Sequence, residues 1–190
     1  MKLRVRGWVI TAFSSLCIAG CTRNYEQYSY ALEKGDITAV RSMVGRNPPL
    51  VAYQFPGDEF RGQRSALELA VANGHRDIAL FLIKQGASVT AKDIWGITAL
   101  HAASEWGDPA VISALLAEGA DPNARDMVDT TPLWLAARNN NMIACKLLLE
   151  AGGDPSIKDD SGMCAQGAAR QYGASKKLQA LLASQRHKPL

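Results

Sequence analysis

Three histidines and four cysteines are the side chains of this 190-residue chain best suited to metal or nucleophile chemistry. No HExxH pair, phosphate-cradling P-loop or nucleophile elbow accompanies them. A zinc hydrolase, a nucleotide-phosphate site and a serine hydrolase all lack their residues. Cys145 falls on an apolar helical face and Cys164 opens the next segment, so both read as small core residues. The expectation is a protein that is not an enzyme: no catalytic residue, no metal, no cofactor and no small-molecule substrate.

Cys21 is different, because of what precedes it. "MKLRVRGW" carries Lys2, Arg4 and Arg6 with no acid in the first 20 residues, and "VITAFSSLCIAG" is a short apolar run ending at Cys21. That run suits a signal peptide and is too short to span a bilayer, which takes about 20 residues. The net charge of +3 belongs to this segment: without its three bases, the remaining basic residues match the 18 acidic ones. No basic surface is left over for nucleic acid. Ile18-Ala19-Gly20-Cys21 resembles the lipobox of bacterial lipoproteins. The resemblance implies that residues 1–20 are removed, that Cys21 is acylated as the first mature residue, and that 21–24 form a short tether. It also implies a lipid-anchored location in the bacterial cell envelope. Thr22, where Asp would retain an enterobacterial lipoprotein in the inner membrane, points to the outer membrane, facing the periplasm.

Stepping along the chain, four segments align: "SALELAVANGH", "TALHAASEWGD", "TPLWLAARNNN" and "CAQGAARQYGA". Gly74, Gly107, Asn140 and Gly173 mark one position in each, and a fainter copy places Gly35 upstream. An apolar helix with a Leu-Leu pair follows in the later copies: Leu115-Leu116, Leu147-Leu148, Leu181-Leu182. Asp93, Asp126 and Asp159 open the last three units at equal spacing. Small residues in each first helix (Ala102, Ala103, Ala136, Ala137) let neighbouring helices approach. Ser65, Thr98 and Thr131 can cap those helices through their hydroxyls. The glycines after the helices can adopt φ > 0, and Asn140 is the next best residue for that job.

This pattern resembles the ankyrin repeat, most closely over 93–125, where Asp93, Gly96, Thr98, Leu100, His101, Gly107, Gly119, Ala120, Asp121 and Asn123 match. The resemblance covers roughly 24 to 184. It implies an all-α solenoid of about five helix-turn-helix units, over about 25–59, 60–92, 93–125, 126–158 and 159–184, with the terminal units as caps and 185–190 as a tail. His101 would bond between turns and His75 would follow a helix-ending Gly; lying in different repeats, the histidines share no metal site. The connection "NPPLVAYQFPGDEFRGQ" is longer than the others and aromatic.

In such a framework function comes from the surface. The resemblance assigns partner contacts to the turn tips (Ile94, Trp95, Met127, Val128) and to helix positions before the marker residue (Asn73, Trp106, Arg138, Asn139, Tyr172). Trp95 and Trp106, with Met127 and Val128, are expected to form one apolar strip. The expected function is therefore non-enzymatic binding of a protein partner in the periplasm. An immunity protein against a periplasm-delivered toxin is one version. An accessory or protective factor for an envelope enzyme, such as one of peroxide defence, is another.

Overall fold

A computed structural model describes residues 18–55 and 63–184, with side chains from Asn24 onward. The basic and apolar stretch ahead of Ile18, the side chain of Cys21, Phe60 and Arg61 of the long connection, and the tail at 185–190 lie outside those residues.

Ten helices form five antiparallel pairs among the described residues. They are α1 (Ile18–Lys34) with α2 (Ile37–Arg46), α3 (Ala66–Ala72) with α4 (Arg76–Lys84), and α5 (Ala99–Trp106) with α6 (Pro109–Ala117). The last two pairs are α7 (Pro132–Arg138) with α8 (Met142–Glu150), and α9 (Ala165–Gln171) with α10 (Lys176–Ser184). Inner helices α1, α3, α5, α7 and α9 pack in that order, and outer helices α4, α6 and α8 stack behind them. The result is the expected all-α solenoid. No helix among the described residues is long and apolar enough to cross a membrane.

Local chemistry explains each boundary. The hydroxyls of Ser65 and Thr131 accept from the backbone N–H groups of Glu68 and Trp134 at 3.0 and 3.2 Å, capping α3 and α7. Each inner helix then ends in a left-handed residue: Gly35, Gly74, Gly107 and Gly173 have φ near +75°, and Asn140 has φ 57°. At Gly107 the demand is doubled, since an added Cβ would lie 2.7 Å from the Asn141 side chain. The Asn141 amide fills that space and donates to the Glu105 carbonyl at 3.2 Å. Gly35 is held in the same way by the His75 ring.

The core is a row of buried Leu, Ile, Val and Ala shared between successive units, with Leu67, Leu100 and Leu133 in line along the inner helices. Cys145 joins it, and burial pushes its thiol up to about 12. Of each Leu-Leu pair, one member is fully buried (Leu115, Leu148, Leu182) and the other packs against the edge of the core.

The long connection departs from a plain loop. A 3₁₀ turn over Pro48–Ala52 leads into a two-residue antiparallel ladder, with Gln54 opposite Ser65 and Phe55 opposite Arg64. Tyr53 stacks on Tyr25 of α1 at 4.2 Å between centroids, and Phe55 meets the edge of Tyr53 at 4.9 Å. This aromatic cluster ties the first unit to the start of the second.

Candidate partner-binding surface

Each tip is built by one aspartate. Asp93 Oδ1 accepts from the N–H groups of Trp95 and Ile97, both at 2.8 Å. Asp126 Oδ1 accepts from Val128 and Thr130, and Asp159 Oδ1 from Ser161 and Met163. Satisfying two donors at once fixes the turn and leaves the residues between them pointing outward. Neighbouring tips are joined by backbone bonds: Met127 N–H donates to Trp95 O at 2.8 Å, and Asp160 N–H to Val128 O at 3.0 Å. Ile94, Trp95, Met127 and Val128 therefore form one continuous exposed apolar row.

Trp106 does not belong to that row, which corrects the expected single strip. Trp95 precedes α5 and Trp106 ends it, and eight helical residues separate their levels by about 12 Å. Trp106 is 65% exposed and stands beside Val71, Arg76 and Asp108, at the loop edge between the second and third units. There Arg76 Nε and Asp108 Oδ2 pair at 2.7 Å.

Three of the expected contact residues are already engaged within the fold. The Asn139 amide donates to the Glu105 carbonyl at 3.0 Å. Arg138 donates to Glu105 Oε1 at 2.7 Å, and its guanidinium lies 5.6 Å from the Trp134 ring centroid. Asn73 turns back on its own helix, donating to the Leu69 carbonyl at 2.8 Å.

A groove of ≈ 540 Å³, lined by polar and apolar residues alike, lies over the fourth and fifth units. Val128, Trp134, Leu135, Arg138, Met163 and Tyr172 line it. Tyr172 is 53% exposed and meets the face of Trp134 edge-on at 6.0 Å. Trp134 was not among the expected contacts. It occupies the slot that His101 fills one unit earlier, and "TPLW" against "TALH" is the signal that could have found it.

His101 Nε2–H donates to the Thr130 carbonyl at 3.1 Å, and Nδ1 accepts from the Thr98 N–H at 3.2 Å. Burial lowers the pKa of His101 and keeps the ring neutral, as that bonding requires. Both ring nitrogens thus serve the framework. Trp134 is buried too, but its indole N–H, itself buried, has no partner among the described residues. A buried donor left unpaired is costly unless something else accepts its proton.

Unit two places Glu68 in the same slot, fully buried, with Arg64 Nε 3.2 Å from its Oε1. Among the described residues no group of His, Cys, Asp and Glu is arranged to hold a metal ion.

Known proteins fit this architecture. A family model described as ankyrin repeats (three copies) matches residues 28–126 and 100–189. The chain is 31% identical over 96 residues to a protein named "Probable E3 ubiquitin-protein ligase XBOS32" from Oryza sativa subsp. japonica. It is 32% identical over 96 residues to "E3 ubiquitin-protein ligase XBAT33" from Arabidopsis thaliana. Each match covers 50% of this chain and 18% of the relative, so the chain spans under a fifth of their length. Ubiquitin ligation is named for those proteins, and ankyrin repeats are themselves non-catalytic modules of protein–protein interaction. With most of its described residues matched, and its helix pairs and Asp turns recurring in one register, the chain belongs to the ankyrin-repeat family.

Proposed function

We propose that this ankyrin-repeat protein is a non-enzymatic envelope lipoprotein that binds one protein partner in the periplasm. The observation that carries the binding site is the groove over the fourth and fifth units. It joins an exposed Tyr172, a Trp134 ring with an unpartnered N–H, and Arg138 held by Glu105. Aromatic and arginine side chains around a concavity are the usual anchors of protein interfaces. A partner seated there would cover the exposed Tyr172 ring and the Arg138 guanidinium beside it. Tyr172→Ala is expected to leave the melting temperature nearly unchanged and to weaken partner binding by about 2 kcal/mol or more, the scale of an interface hot spot. A photo-crosslinker beside Tyr172, followed by identification of the captured protein, names the partner. A toxin identifies an immunity protein, and an envelope enzyme identifies an accessory factor. Unchanged capture by Tyr172→Ala moves the site to Trp106 and the opposite edge.

The lipid anchor is supported by the basic start, the short apolar run and Ile18-Ala19-Gly20-Cys21. Acyl chains worth about 0.8 kcal/mol per buried CH₂ make a lasting attachment when more than one is present. Cys21→Ser is expected to abolish processing or release the protein from membranes. Intact-mass measurement of the membrane fraction should show a chain starting at Cys21 with added acyl mass; a mature chain without that mass would refute the anchor.

A further inference from the structure

We infer that the apolar row of tips, Ile94, Trp95 and Met127, seats on the bilayer that holds the lipid anchor, leaving the far end of the groove, at Arg138 and Tyr172, for the protein partner. The inference rests on the anchor proposed above and adds an orientation to it.

The geometry begins at α1. This helix runs without a break from Ile18 through Cys21 to Lys34. It lies parallel to α3, because both of its ends are matched to that unit. Near its start, Tyr25 stacks on Tyr53 and Tyr28 lies 5.9 Å from Phe55, while Gln54 and Phe55 pair with the two residues directly ahead of α3. At its far end, the Glu33 carbonyl lies 3.0 Å from His75 Nε2, just past the end of α3. The start of α1 is therefore on the edge where inner helices begin. Cys21 lies one helical turn ahead of Tyr25, about 6 Å further out.

The tips emerge from that same edge. The turn of Asp93 leads directly into Thr98 and α5, and the turn of Asp126 into Thr131 and α7. Residues 21–24, expected as a short tether, lie in line with α1 and would form its first turn once residues 1–20 are removed. An acylated Cys21 would thus hold the tip edge close to the headgroups rather than let the domain swing away. Ile94, Trp95 and Met127 are 52%, 42% and 63% exposed there, and the turns that display them are fixed by Asp93 and Asp126. Trp is favoured at the membrane–water interface, where its ring is apolar and its N–H wet. A tethered surface also needs little intrinsic affinity, because the anchor makes the second contact intramolecular. Trp106, at the opposite end of α5, is left away from the bilayer.

The test uses the acylated protein reconstituted into phosphatidylethanolamine–phosphatidylglycerol liposomes whose acyl chains carry bromine, a quencher of tryptophan fluorescence. Intact mass is recorded on the same sample. The expected result is quenching that is mostly lost in Trp95→Phe and retained in Trp106→Phe, with unchanged thermal melts. Acyl mass on Cys21 together with no quenching, or with quenching that Trp95→Phe leaves intact, overturns the seating and spares the anchor. Absence of acyl mass overturns both. Undiminished quenching in Trp95→Phe, with crosslinking of Met127 to a protein instead of lipid, assigns the tips to the partner and also overturns the inference.

Discussion

Leu148→Ala is expected to cost about 2–5 kcal/mol, a fall of roughly 4–20 °C in melting temperature for a domain of this size. Leu148 is fully buried in α8, in register with Leu115 of α6 one unit earlier. Stacked neighbours on both sides leave the cavity little room to collapse, which is what raises the cost of such truncations. Leu147, its neighbour in the sequence, is only partly buried at the edge of the core, and Leu147→Ala should cost clearly less. Chemical denaturation of both variants decides the point. Repeat arrays lose cooperativity at a weakened interface, so Leu148→Ala is also expected to broaden or split the transition. Equal costs at the two positions would contradict the stacking described above.

The second large effect is a pH dependence seated at Glu68. Burial pushes its carboxyl up to about 7, the nearby Asp93 charge adds to the rise, and Arg64 opposes it. A carboxyl whose folded pKa exceeds its unfolded one binds more protons in the folded state. Its contribution is therefore fully present below the unfolded value, near 4.5, and is lost as pH rises through about 7. The full span corresponds to about 3 kcal/mol at 1.36 kcal/mol per pH unit. His101 acts in the opposite sense: its lowered pKa makes acidification below the ordinary histidine range destabilising. The two are separated by Glu68→Gln, which keeps the shape and removes the charge. Above pH 8 this variant should be more stable than the wild type by up to about 3 kcal/mol, and the difference should vanish near pH 4.5. A difference that is flat across pH would show that Glu68 does not carry the charge burial assigned to it.

The helix pairs were legible because their signals are local and repeated. Leu100 with Gly107, and Leu133 with Asn140, state one helix and its left-handed end at equal spacing. The Asp turns were legible as positions, though only the structure shows each Oδ1 holding two backbone donors. The ladder of Gln54-Phe55 with Arg64-Ser65 was not legible, since two residues show no alternation and its support, the Tyr25 ring, comes from α1. Trp134 was missed for a related reason. Its place in the framework marks it as a filled slot, and only its position in the groove wall, T-shaped against Tyr172, marks it as a contact. Asp129 was equally silent: it adopts φ 58° in the tip where the neighbouring units use Gly96 and Gly162. The separation of Trp95 from Trp106 depends on the length of α5, which spacing alone does not convert into distance.

The aromatic seam between the first two units has a mechanical side. A chain held at Cys21, in the first turn of α1, and gripped by a partner at the fourth and fifth units would carry load along the stack. Each unit touches only its neighbours, so the tension crosses every interface in series, and the weakest yields first. Every junction resists through a row of buried aliphatic side chains, and polar clasps add to it. Between the third and fourth units Met127 N–H donates to Trp95 O at the tips, and the Asn141 amide donates to the Glu105 carbonyl at the far end. The first junction also engages Tyr25 against Tyr53 and the Glu33 carbonyl against His75, at opposite ends of α1. Two clasps placed at both ends of a helix must be broken together rather than unzipped one after the other. The unit nearest the anchor point is thus clasped at both ends, as the third and fourth units are, and no junction is left to the aliphatic row alone where the load must be borne.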